Sequence, residues 1–312
     1  MTNYTQKPGS RPNNTRRRRR RKHRSTMSII LVIVILAIVA VAAVFIGIYM
    51  SGLRYIKIDT DGNTGYIKFF GKVDTLGAPF SGKLYFSDGT TAQLDMEAGK
   101  VEYSAGDVYE GELKNLLKNG KGTITFSSGD IYSGDFVNDK IIGSGIFKYS
   151  NGDEYEGDLV DGRRHGTGSY TWADKSMYIG TFTDDMKHGQ GKYIWPDGSS
   201  YDGTYEKDMK NGKGVYIFEN GDVYSGDFDH DIRTGKGTYT WANGEQYEGD
   251  FVENKMNGWG KYTWPSGRTF EGLFENGKIV RTEPDPEAEQ PLVEEPVAVE
   301  PTESTDNGEV TE

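Results

Sequence analysis

Tyr201-Asp-Gly203-Thr-Tyr205 is the stretch that decides the fold, because the chain repeats its pattern with the spacing intact. Before it stand Tyr109-Glu-Gly111-Glu-Leu113, Tyr132-Ser-Gly134-Asp-Phe136, Tyr155-Glu-Gly157-Asp-Leu159 and Tyr178-Ile-Gly180-Thr-Phe182. After it come Tyr224-Ser-Gly226-Asp-Phe228, Tyr247-Glu-Gly249-Asp-Phe251 and Phe270-Glu-Gly272-Leu-Phe274. Each lead aromatic falls 23 residues after the last, a period that marks an array of one supersecondary unit. Ten residues before each lead there is always glycine, and six before it always a ring, from Tyr103 to Trp264. Three before it there is glycine in every copy except one, where Lys175 stands.

Within one copy, two short runs of alternating residues flank a turn. In Gly237-Thr-Tyr239-Thr-Trp241, Ala-Asn-Gly244, Tyr247-Glu-Gly249-Asp-Phe251, the Asn-Gly pair signals a β-hairpin. A polar loop is expected after each copy. Alternation places Tyr239 and Trp241 on one face with Tyr247, Gly249 and Phe251. The other parity is mainly acidic, including Asp135, Asp158, Asp227 and Asp250. The repeated glycine leaves room for a cross-strand ring over the backbone. The expected fold is therefore all-β: an elongated single-layer solenoid of antiparallel hairpins, preceded by one transmembrane helix.

The ends differ from the array in composition. Residues 1–28 carry ten Lys/Arg and no Asp/Glu, and read as a disordered basic tail. Residues 29–50 contain no charged side chain, and 22 residues at about 1.5 Å rise suffice for a bilayer core. An uncleaved anchor is expected, with the basic flank cytoplasmic by the positive-inside rule, so the localisation is the cell membrane with extracytoplasmic repeats. Tyr49 and Tyr55 are expected at the outer interface. Residues 51–64 read as a linker and 65–98 as a degenerate capping repeat, since Gly82-Lys-Leu84-Tyr-Phe86 lines up with Gly122-Thr-Ile124-Thr-Phe126. The array proper is read as 99–281. Residues 282–312, with eleven acidic residues, five prolines and no Lys/Arg, read as a disordered acidic tail.

The chain has no cysteine, which excludes disulfides and thiol nucleophiles. Beyond residue 28 there are 26 basic and 47 acidic residues, a balance that argues against nucleic acid as partner. His165 and His188 are expected at equivalent loop positions, about 10 Å apart, too far to share a metal. The Gly-x-Gly pairs, such as Gly143-Ser-Gly145, lack the third glycine and the helix of a nucleotide loop. No enzyme, cofactor or metal site is expected.

The unit Tyr155-Glu-Gly-Asp-Leu-Val-Asp-Gly-Arg-Arg-His165-Gly-Thr-Gly-Ser-Tyr-Thr-Trp172 resembles the MORN (membrane occupation and recognition nexus) repeat, and the other seven resemble it too. The resemblance implies single-layer sheets of hairpins serving membrane association, protein binding or self-assembly. The expected function is thus a membrane-anchored binding or scaffolding protein, engaging a protein or a membrane surface. A cell-wall or glycan-binding module and a non-catalytic accessory subunit of a membrane enzyme are the rivals. The partner is expected to be a protein or a glycan, with a homo-oligomer a further possibility. The candidate partner-binding residues are the aromatic positions Tyr170, Trp172, Tyr193, Trp195, Tyr239, Trp241, Tyr262 and Trp264, because exposed apolar surface marks interaction sites and aromatic anchors dominate them.

Overall fold

The computed structural model describes residues 2, 15–59 and 65–281. The acidic tail at 282–312 lies outside the described residues. The chain divides into two compact units between Ser150 and Asn151.

The first unit opens with helix α1 (Thr15–Met50). The helix begins fourteen residues earlier than the apolar stretch, so residues 15–28 continue it instead of forming a disordered tail. Arg and Lys are good helix formers, and an existing helix extends at little cost. Nine strands follow: β1 (Leu53–Asp59), β2 (Tyr66–Val73), β3 (Pro79–Phe86), β4 (Thr91–Asp95), β5 (Lys100–Tyr103), β6 (Val108–Lys114), β7 (Leu117–Thr125), β8 (Ile131–Val137) and β9 (Lys140–Lys148). The second unit holds β10 (Glu154–Val160), β11 (Arg163–Thr171), β12 (Met177–Thr183), β13 (Met186–Ile194), β14 (Ser200–Glu206) and β15 (Met209–Ile217). It continues with β16 (Val223–Asp229), β17 (Ile232–Thr240), β18 (Gln246–Val252), β19 (Lys255–Thr263), β20 (Thr269–Glu275) and β21 (Lys278–Arg281). Within each unit every strand pairs antiparallel with its neighbour in the chain.

Two turn types alternate. The expected Asn-Gly or Pro-Asp-Gly turn closes one end: Gly198 N donates to Trp195 O at 3.0 Å, with Gly198 in the left-handed region at φ +86°. Lys175 takes the same conformation at φ +75° without being glycine. The other end corrects the expected polar loop. Glu206 pairs with Met209, and Lys207 and Asp208 make a two-residue turn with φ of +48° and +71°. Both central φ are positive, the type I′ geometry that matches strand twist. The sequence hid this turn because Asp or Asn stands where glycine is the usual signal. A second bond explains the choice. The carboxylate of Asp208 accepts from Lys187 N at 2.8 Å, and its own N–H donates to Lys187 O at 3.0 Å. Asp185 does the same for Arg164, Asp231 for Lys210 and Asn254 for Arg233. Each of these four turns is thereby tied to the preceding hairpin.

The core of a one-layer sheet must come from one face. In the second unit Tyr178, Tyr201, Tyr224 and Tyr247 are each 0% exposed. Tyr201 lies over the facing pair Gly203 and Gly214: a Cβ on Gly203 would come within 2.5 Å of the Tyr201 hydroxyl and 2.6 Å of the Gly214 Cα. The ring over the glycine therefore belongs to the same strand, two residues back, and covers its own and the partner glycine together. Its hydroxyl donates to Thr204 O at 3.0 Å. Neighbouring rings meet edge to face, Tyr201 with Tyr205 at 5.2 Å and with Phe228 at 5.0 Å. The same zigzag runs from Tyr155–Phe182 to Tyr247–Phe274, the geometry that aromatic quadrupoles favour.

The N-terminal strands keep the plan with different chemistry. Phe69 lies over Gly71 and Gly82 as the tyrosines do over their pairs. From β3 to β5 the aromatic-glycine pattern lapses and Leu84, Ala92, Leu94 and Val101 are buried instead; it resumes with Tyr109 over Gly111 and Gly122. Residues 53–59, expected within a linker, form β1, paired over seven residues with β2. The alternation Arg54-Tyr-Ile56-Lys-Ile58-Asp puts Ile56 and Ile58 opposite Phe69 and Ile67, so an apolar face draws the segment into the sheet.

Candidate functional site

The second unit carries another row of rings on the same face as the buried tyrosines. Tyr170 and Trp172 are 4.6 Å apart, Trp172 and Tyr193 5.1 Å, Tyr193 and Trp195 4.5 Å, and Trp195 and Tyr216 5.2 Å. The row continues through Phe218 to Tyr239 at 5.6 Å, then Trp241, Tyr262 and Trp264 at 4.7, 5.4 and 5.0 Å. All eight sequence-selected residues lie in it, and the structure adds Tyr216 and Phe218. Those two occupy the same repeat positions and escape notice only when tryptophan is used as the marker. Tyr170 is buried and the others are half-buried, so ring-on-ring contact seals much of each face.

Turn residues pin the tyrosines of this outer row. Tyr239 donates to Asp222 at 2.6 Å, Tyr170 to Asp153 at 2.7 Å and Tyr193 to the Ser176 hydroxyl at 3.1 Å. Asp222 also accepts from Ala242 N at 2.8 Å. The Tyr239 bond holds the Asp222 carboxyl below its usual range. Burial, then this bond, pushes Tyr239 up to about 12.

Between the two ring rows lies a line of cations that the sequence reading passed over. Lys210 Nζ is 5.6 Å from the Trp195 ring centre, 5.8 Å from Tyr201 and 5.4 Å from Tyr216. Arg233 is similarly set among Phe218, Tyr224 and Tyr239, and Lys187 among Tyr178, Tyr193 and Tyr205. Arg164 contacts Tyr170 and Phe182, while Arg268 caps Trp264 at 4.1 Å. Burial lowers the pKa of Lys187, against the pull of Asp208. The signal was present: Lys or Arg stands nine residues after the lead aromatic at 164, 187, 210 and 233. Cation–π contacts at half-exposed sites contribute roughly 0.5–1 kcal/mol each.

The opposite face is a mixed-charge surface and not an acidic one. Lys213 pairs with Asp227 and Lys236 with Asp250, each at 2.8 Å, and Lys261 with Glu271 at 3.1 Å. These cross-strand pairs are exposed and contribute little to stability. A groove of about 990 Å³ runs along this face over the line of paired glycines, lined by Asp202, Lys213, Lys236 and Glu248 among others. His165 and His188 lie on strands β11 and β13, not in loops, because the two-residue turn ends before them. Among the described residues no group of three His, Cys, Asp or Glu is placed to hold a metal ion.

A family model of the MORN repeat matches seven consecutive segments: 109–131, 132–154, 155–177, 178–200, 201–223, 224–246 and 247–267. Each begins on a lead aromatic of the 23-residue period. No curated protein matches the chain. Among solved structures, the SAS-4 TCP domain of Drosophila melanogaster, in complex with a proline-rich motif of Ana2, aligns at 18% identity and a TM-score of 0.33, covering 51% of this chain and 88% of that one. A point mutant of the TCP10 domain of Danio rerio CPAP aligns at 14% identity and a TM-score of 0.29, covering 74% and 98%.

Proposed function

The chain belongs to the MORN repeat family, and we propose that it is a membrane-anchored binding or scaffolding protein that displays its repeats outside the cytoplasm. The observation that carries the binding role is the outer row from Tyr170 to Trp264, ten rings in unbroken contact with cations set among them. A one-layer sheet has no second layer to cover such a row. Half-buried, pre-ordered aromatic and cationic groups lose little entropy on binding and suit a protein partner. Sugar stacking needs a free ring face, and here most rings have a neighbour on both sides within 5.6 Å. The partner is therefore a protein.

The test compares the full-length protein with two double variants, using membrane-extract proteins and wall glycan as ligands. Trp195→Leu with Trp241→Leu should weaken protein capture, whereas Asp227→Asn with Asp250→Asn should leave it intact. The reverse result would move the binding role to the charged face, and capture of glycan alone would replace the protein partner.

The anchor is the one helix among the described residues whose segment, Ile29–Met50, is long and apolar enough to cross a membrane. Ten basic residues precede it and no acidic ones, which favours a cytoplasmic N-terminus. Protease added to intact cells should remove the repeats and leave the N-terminal tail. Full protection of the repeats would reverse the orientation.

A further inference from the structure

The junction between α1 and the sheet is short and built. Only Ser51 and Gly52 separate Met50 from β1. Both are hydrogen-bonded back into the helix, Ser51 N to Gly47 O at 3.0 Å and Gly52 N to Tyr49 O at 3.2 Å. Arg54 closes the junction, stacking its guanidinium 4.1 Å from the Tyr49 ring and donating to Tyr49 O at 3.0 Å. The sheet thus begins at the helix end without a free linker.

The register then decides what else lies there. Leu53, the first residue of β1, faces Lys72, near the end of β2. The turn from β2 to β3 therefore returns to the end of the helix. It is ordered: Asp74 accepts from Leu76 N at 2.9 Å and from Ala78 N at 2.8 Å. At its tip Leu76 is 92% exposed. Beside it, Phe80, the second residue of β3, is exposed, and the facing trio Tyr55, Phe70 and Lys83 stands on the solvent face. The far ends of the same strands differ in kind. There the β3–β4 turn is Ser87-Asp-Gly-Thr90, with Asp88 bonded to the Thr90 backbone and hydroxyl and no apolar side chain. The turn at the helix end thus presents an exposed leucine between Lys72 and Phe80, whereas the β3–β4 turn presents only polar side chains.

We propose that the β2–β3 turn is a second membrane contact: Leu76 enters the interfacial zone of the bilayer that holds α1, and Lys72 and Lys83 face the phosphates of its lipids. The proposal rests on the reading of Ile29–Met50 as a membrane span. Tyrosine and phenylalanine with an apolar body suit the headgroup level, and lysine reaches phosphate on a flexible stem. Lys72 and Lys83 supply charge complementary to an anionic leaflet, while the Asp74 carboxylate is engaged by the N–H groups of its own turn. A single exposed leucine is ordinary on a protein surface. It gains meaning here because the register holds it beside the end of an apolar helix.

The chain has no cysteine, so single labels are clean. Full-length Leu76→Cys, Ser87→Cys and Ile38→Cys variants would each carry a polarity-sensitive fluorophore in nanodiscs of phosphatidylcholine and phosphatidylglycerol. Brominated lipid should quench the labels at 76 and 38, and aqueous iodide the label at 87. Iodide quenching at 76 with lipid quenching at 38 overturns the second contact and leaves the span standing. Iodide quenching at 38 overturns both. In the Leu76→Cys background, Lys72→Glu with Lys83→Glu should reduce lipid quenching at 76, and unchanged quenching would remove the lysines from the contact.

Discussion

The inner and outer ring rows of the second unit share a face, a period and a chemistry, yet differ in what holds them. Tyr201 is covered by backbone below and rings on both sides, and its hydroxyl bonds a carbonyl three residues on. Trp195 stacks on two neighbours and a lysine and keeps part of its surface in water. The inner row replaces the missing second layer, while the outer row is surplus to that need. A one-layer sheet can thus hold a fully buried ring row and a half-buried one side by side, with Lys187, Lys210 and Arg233 set between them.

Alkali is the perturbation expected to act most strongly, and on both rows together. Burial pushes inner Tyr178 and Tyr224 up to about 12, and outer Tyr239 and Tyr262 likewise. A tyrosine pKa raised above its ordinary value of about 10 stabilises the fold fully below pH 10. That contribution is lost as pH rises from there through the folded value. Circular dichroism should therefore be lost in one transition above pH 10, together with the last step of phenolate absorbance. Complete phenolate absorbance with unchanged dichroism would show that the buried tyrosines ionise within an intact fold.

Single substitutions should divide the rows. Tyr201→Ala removes a fully buried ring and is expected to cost about 3–5 kcal/mol, read from urea unfolding of the full-length protein. Gly203→Val is next. Overpacking costs about 1–3 kcal/mol, and the upper end is expected because the new Cβ meets the Gly214 Cα as well as the ring. Thr204→Val, on the opposite face, should stay within about 0.5 kcal/mol. Equal losses for the last two would refute the face assignment.

Trp195→Leu should cost less than either inner change. It removes two ring contacts and a cation–π contact, roughly 1.5 kcal/mol together at the low end that half-buried rings give, and leaves the dichroism spectrum intact. A loss equal to that of Tyr201→Ala would make the outer row part of the core. The smallest effect has the opposite sign. Lys175 holds a left-handed φ of +75° where the other seven copies have glycine. Lys175→Gly should stabilise by about 1 kcal/mol, seen as a rise in Tm. A fall would mean that the lysine side chain supplies more than its backbone costs.

Much of this was legible in the residues. The 23-residue period, the hairpin turn at Gly198 and its equivalents, and the parity that puts Tyr201 with Gly203 all follow from local rules. Strand side chains alternate, glycine accepts positive φ, and a repeated unit must bury itself against its copies. For the same reason all eight ring positions chosen from the sequence fall in one row. The tight turn at Lys207-Asp208 was hidden because its left-handed residues are held by bonds to Lys187, on the preceding hairpin. The cation line was visible as a spacing but had no meaning until Lys210 was seen among three rings. Likewise β1 reads as a spacer until Ile56 and Ile58 meet Phe69 and Ile67. The sequence alone determined the repeat unit and its two faces, because both are set within one strand by sterics and alternation. Only the tertiary structure decided which ring covers which glycine, which charge sits between the rows and which turn returns to the helix, because register joins residues that no local rule connects.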